Sequence, residues 1–141
     1  YTATAERLAR RGAPVDDLPT AAGLGRLEDA VRFLPTADSR SRHEALALAS
    51  QHGHAEIVGA LLDAGEDPNR YNPTGFHDHS TPLHQAIASD RPRVVQLLLD
   101  RGARTDIKDR IYQGNALDWA VYCERPAIAD ELRTRGAQGS S

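Results

Sequence analysis

The 141-residue chain has no methionine, one cysteine (Cys123), one tryptophan (Trp119) and two phenylalanines. A lone cysteine cannot close an internal disulfide, and no basic start leads into an apolar stretch, so no signal peptide is visible; a reducing, cytoplasmic location is expected. No apolar run approaches the roughly 18 residues of a spanning helix, which excludes that kind of membrane contact. Lysine is nearly absent, Lys108 being the only one, and 20 acidic residues outweigh 17 basic ones for a net charge of −3. That balance argues against a generic nucleic-acid surface. Gly23-Leu24-Gly25 lacks the preceding strand that a phosphate-binding loop requires. With a start at Tyr1 and no methionine, the expectation is a fragment or trimmed product of something longer. What remains is ordinary for a soluble unit with one core: 40% hydrophobic and 26% charged residues.

Within that composition the sequence repeats itself. In residues 81–106, Thr81 suits a helix N-cap and Pro82 a first helical position. Pro92 opens a second apolar stretch with Val94, Val95, Leu98 and Leu99, and Gly102 supplies the left-handed stop. Thirty-seven residues earlier, Ile57, Val58, Leu61, Leu62 and Gly65 occupy the same places, with Leu46 and Ala49 matching Leu83 and Ala86. Thirty-four residues later, Leu117, Ala120, Ile128, Ala129, Leu132 and Gly136 do so again, and Arg133 replaces a core leucine as a solvent-facing cap would. A divergent copy holds Leu18, Ala21, Gly25, Ala30, Phe33 and Leu34 before Pro35 breaks it. Residues 5–13 read as the second helix of a copy whose first helix is missing, with Arg7, Arg10 and Arg11 on a solvated face.

Thr81-Pro82-Leu83-His84-Gln85-Ala86, with the Gly53-His54-Ala55-Glu56-Ile57-Val58 turn and the Leu61-Leu62-Asp63-Ala64-Gly65 helix end, resembles the ankyrin repeat family, whose unit is about 33 residues. The likeness runs from about residue 4 to 137; Ala47 and Asp118 depart from it where the motif has histidine, and Trp119 where it has leucine. It implies an all-α ankyrin-repeat solenoid, a single domain over 1–141 of about four to five stacked helix-turn-helix units with projecting loops or β-hairpins. The expected divisions are a truncated repeat (1–17), a divergent repeat (18–42), a repeat with an enlarged loop (43–80), a further repeat (81–113) and a C-terminal cap (114–138). It also implies a concave face of first helices and loop tips that binds protein. By position that face should include Arg40, Ser41, His43, Gln51, His52, His77, Asp78, Ser80, Ala88, Ser89, Ile111, Tyr112 and Tyr122.

Between Asn69 and Thr81 lie eleven residues, about four more than the period needs. Tyr71 and Phe76 in this loop either pin it against its own stack or supply a binding hot spot on an enlarged finger. Ile111-Tyr112 reads as cross-strand packing or as recognition, and Trp119, beside core positions, as core. His77-Asp78-His79 with His84 and His43 looks like a metal-ligand set, but histidines one residue apart point oppositely in an extended chain, and His84 belongs to the repeat motif. Cys123 has no histidine placed to activate it and reads as packing. The expectation is a non-catalytic, monomeric module without cofactor or metal. It binds another protein or another segment of its own polypeptide; the alternative is a regulatory or docking domain of a larger enzyme or regulator.

Overall fold

Every inner helix begins on a side chain that caps it. Asp17 accepts the Thr20 N–H, Asp38 that of Ser41, Thr81 that of His84 and Asn115 that of Asp118. These caps open α1 (Leu18–Leu24), α3 (Ser39–His52), α5 (Pro82–Ala88) and α7 (Ala116–Tyr122). Each is followed after a tight turn by an outer helix: α2 (Leu27–Phe33), α4 (Ala55–Asp63), α6 (Pro92–Asp100) and α8 (Pro126–Thr134). A 3-10 turn, Leu34–Thr36, ends the first pair. This computed structural model describes residues 16–139; the expected half-repeat over residues 5–13, with its arginine face, lies outside the described residues.

The tight turns reverse the chain through one left-handed residue each: Gly25, Gly53, Asp90 and Glu124, with φ between 57° and 81°. At Gly25 a second constraint applies, because a Cβ there would sit 2.6 Å from the His54 ring. That ring reaches back from the start of α4 to within 3.2 Å of the Gly23 carbonyl. The same clasp recurs up the stack. Arg91 donates through Nε to the Gln51 carbonyl at 3.1 Å, and Arg125 donates to the carbonyls of Ile87 (3.3 Å) and Ala88 (2.7 Å). Each clasp satisfies carbonyls that a helix end leaves without an intrahelical partner, and ties one repeat to the next.

The apolar register read from the sequence becomes the core. Leu46, Ala49, Ile57, Val58, Leu61, Leu83, Ala86, Val94, Val95, Leu98, Leu117, Ala120, Ile128, Ala129 and Leu132 are all buried in one continuous cluster, while Arg133 is exposed. Inner helices α1, α3, α5 and α7 pack in a row, with α2, α4 and α6 in a second row. Neither row could bury its apolar side alone, so stability resides in the interfaces between neighbours.

Of the projecting loops or β-hairpins expected, loops form: no strand is present among the described residues, and the projections are chains of turns. Helix α3 is twice as long as the other inner helices, 14 residues against 7, and runs through the expected boundary at 42/43. Its sequence from Ser39 meets no proline or glycine before Gly53, so residues that would form a projecting loop continue the helix instead.

Candidate protein-interaction surface

The loops between repeats, residues 64–81 and 101–115, are held by side chains that bridge one loop to the next. Asn69 donates to the Gly102 carbonyl (3.1 Å) and accepts the Arg104 N–H (2.7 Å). The Tyr71 hydroxyl donates to the Lys108 carbonyl at 2.6 Å, and the Arg110 guanidinium lies 4.0 Å from the centre of the Tyr71 ring. The Arg110 N–H donates to the His79 carbonyl at 2.7 Å. Tyr71 and Phe76 are both half-buried, and Tyr71 has its hydroxyl and ring face occupied by the neighbouring loop.

Asp109 organises the second loop. Fully buried, its carboxylate accepts the backbone N–H groups of Ile111 (3.0 Å), Tyr112 (2.6 Å) and Gly114 (2.8 Å) and the indole N–H of Trp119 (3.0 Å). Burial pushes its pKa upward, but the bonds from Tyr112, Trp119, Gly114 and Ile111 outweigh it and hold the group at about 2 against an ordinary 3.8. The chain therefore bends tightly around an anion, and the bend turns Ile111 and Tyr112 outward. Sequence reasoning missed this residue, because the donors that give it its role stand two to ten residues further on and only the fold brings them to it.

His84 supports the same region from beneath. Its Nε2–H donates to the Gly114 carbonyl (3.0 Å), so Nδ1 is left to accept from Thr81, backbone N–H at 3.1 Å and hydroxyl at 2.9 Å. Burial lowers its pKa below the ordinary 6.5. Its ring centre lies 4.8 Å from that of Trp119, which His79 also approaches at 6.0 Å. Trp119, expected in the core, is half-buried: it packs against the core and borders a concavity of about 470 Å³ lined by Tyr112, Gly114, Asp118, Trp119, Tyr122 and Cys123. Tyr112 (75% exposed) and Tyr122 (88%) line it, and their chain neighbours Ile111 (62%) and Val121 (56%) are exposed as well.

The remaining expected contact residues divide. His77 and Asp78 are exposed; Gln51, His52 and Ser89, with Ala88, are half-buried. Arg40 is exposed but pairs with Glu44 at 2.9 Å and lies 3.4 Å from the Thr74 carbonyl, and Ser41 is half-buried with its N–H on the Asp38 cap. Ser80 and His43 are corrections. Ser80 is wholly buried, its hydroxyl donating to the His77 carbonyl and accepting from Gln85, because it closes the turn of the long loop. His43 is buried because α3 extends beneath that loop, and burial lowers its pKa. Among the described residues no group of three or more His, Cys, Asp or Glu side chains is arranged to hold a metal ion.

A family profile described as ankyrin repeats (3 copies) matches residues 18–109 and, in an overlapping register, residues 46–140. The chain belongs to the ankyrin repeat family. Repeats of this family are generally non-catalytic modules for protein–protein interaction. Among similar proteins, the ankyrin repeat and SAM domain-containing protein 6 of Mus musculus is 31% identical over 103 residues, 73% of this chain and 11% of its own length. The E3 ubiquitin-protein ligase KEG of Arabidopsis thaliana is 32% identical over 110 residues, 76% of this chain and 6% of its own. The neurogenic locus Notch protein of Drosophila melanogaster is 41% identical over 69 residues, 49% of this chain and 2% of its own. This ankyrin stack thus spans only a small part of the length of these relatives.

Proposed function

We propose that this stack is a non-catalytic binding module that grips a partner protein, or another segment of its own polypeptide, with the loop tips and inner helices of its last three repeats. The observation that carries the reading is the pair of exposed tyrosines, Tyr112 and Tyr122, that line the concavity with Trp119. Grouped large apolar side chains left in water on a rigid scaffold are characteristic of interaction sites, and aromatic residues dominate hot spots. The contact set is therefore Ile111, Tyr112 and Tyr122, with His77, Asp78, Gln51, His52 and Ser89 toward its edge; Arg40, Ser41, Tyr71 and Phe76 mainly shape it. We assign no cofactor, nucleic acid or membrane to this surface, and we place the monomeric stack in the cytoplasm.

A second reading has one supporting observation. The relatives are far longer than this chain and include a protein named as an E3 ubiquitin ligase, which favours a docking role inside a larger enzyme or regulator. Both readings use the same surface. A photocrosslinking amino acid placed at Tyr122 is expected to capture a protein in the native cell, whereas the same group at Glu56 or Arg133, both exposed on outer helices, captures none. Capture from the outer helices with none from Tyr122 would overturn the assignment.

A further inference from the structure

The hollow is lined entirely by residues between Tyr112 and Cys123. Residues 111–124 hold two carboxylates, Asp118 and Glu124, and no lysine, arginine or histidine. Asp118 is the carboxylate in the lining, beside the rings of Tyr112, Trp119 and Tyr122. Its Oδ2 accepts the Asn115 N–H that opens α7 at 3.0 Å, a bond to a neutral donor that leaves the negative charge in place. The neighbouring cations are engaged elsewhere. The Arg110 guanidinium lies on the Tyr71 ring, Arg125 donates to the carbonyls of Ile87 and Ala88, and Lys108 lines a separate concavity with Asn115 and Gly139. His84 packs against the indole, and burial lowers its pKa, so it brings no positive charge there at neutral pH. Three aromatic rings and a carboxylate complement a cation, because ring quadrupoles attract positive charge. A guanidinium suits both, since it is planar, weakly hydrated, stacks on aromatic rings and pairs with carboxylates. The fold already holds one such contact, Arg110 on Tyr71 at 4.0 Å.

We propose that the hollow seats an arginine side chain of the partner protein, its guanidinium among the rings of Tyr112, Trp119 and Tyr122 and facing the Asp118 carboxylate. The proposal rests on the partner-binding reading above and adds the chemistry of the side chain that the partner inserts. Asp109 accepts the Tyr112 backbone N–H and the Trp119 indole N–H, so two of the three ring-bearing residues are held before any ligand arrives.

Trp119 is the only tryptophan of the chain and borders the hollow, so its emission reports occupancy directly. The experiment titrates the full chain with synthetic Gly-Ser peptides that differ only in their central residue: Arg, Lys, Gln or Glu. The Arg peptide is expected to change Trp119 emission and to bind about fivefold or more tighter than the Gln peptide, with the Lys peptide between them and the Glu peptide weakest. Tyr122→Leu, which keeps an apolar side chain but removes a ring, is expected to erase most of that preference, and Tyr122→Phe to retain it; Tyr122 is 88% exposed, so neither change disturbs the core. Asp118→Asn, whose amide oxygen still accepts the Asn115 N–H, is expected to lower the preference as well. Equal or tighter binding of the Gln or Glu peptide overturns the cationic occupant, and equal or tighter binding of the Lys peptide overturns the guanidinium; both leave the partner-binding reading standing. A preference for arginine that survives Tyr122→Leu and Asp118→Asn undiminished overturns the seat. No response of Trp119 to any peptide at millimolar concentration overturns the occupant and its seat together. Failure of the partner-binding reading itself is registered separately, by crosslinking from the outer helices and not from Tyr122.

Discussion

At Asp109 one carboxylate accepts four hydrogen bonds, two on each oxygen. An amide in its place would aim an NH2 at two N–H donors whichever way it turned. Asp109→Asn is therefore expected to cost about 2–4 kcal/mol of unfolding free energy, read by denaturant titration, and to shift Trp119 emission as its indole loses its acceptor. A loss too small to detect would mean that the bend is held by other contacts. The imidazoles make a pH prediction. His84, His43 and His52 all have folded pKa values lowered by burial below 6.5, so on acidification the unfolded chain takes up protons before the folded chain does. Their contribution is complete above about pH 6.5 and falls as pH drops below it. Asp109 acts in the same direction lower down, its contribution present above 3.8 and lost as pH approaches 2. Denaturation midpoints should stay level from pH 7.5 to about 6.5 and decline from there to pH 5; a flat profile throughout would contradict this.

Among the elements, helices were legible and connections were not. Positions spaced as Ile57-Val58-Leu61 or Val94-Val95-Leu98 can be buried together on only one face of a helix, so periodicity located α4, α6 and α8 directly. The length of α3 was hidden because Arg40 to His43 fit a polar loop and an exposed helical turn equally well by composition. Asp109 was hidden because its worth lies in donors brought to it by the fold, not in its neighbours in sequence. The inner-to-outer turns show a related economy of form: four turns share one left-handed geometry, yet only two use glycine. Glu124 takes φ 57° without the local hydrogen-bonding advantage that aspartate has at Asp90. Glu124→Gly is expected to stabilise the chain by about 1 kcal/mol, visible as a higher denaturation midpoint; no change or a loss would show that the Glu124 side chain contributes a contact that offsets its backbone strain.

Across the whole molecule, cohesion and recognition are placed on different parts of the same stack. Leucines, valines and the His54, Arg91 and Arg125 clasps join successive repeats, so the inner row is fixed by its neighbours. Of the exposed side chains that this packing does not require, Tyr112 and Tyr122 line one hollow near the C-terminal end of the described residues. The outer helices carry exposed polar residues such as Arg93 and Gln96, away from the tyrosine-lined hollow. The direct measurement is the dissociation constant of the protein captured through Tyr122, for the wild-type chain, for Tyr112→Ala with Tyr122→Ala, and for Arg93→Ala with Gln96→Ala. The account predicts that the tyrosine pair weakens binding about tenfold or more with its unfolding transition unchanged, while the outer pair binds as wild type. A loss of binding in the outer pair, with the tyrosine pair unaffected, would contradict it.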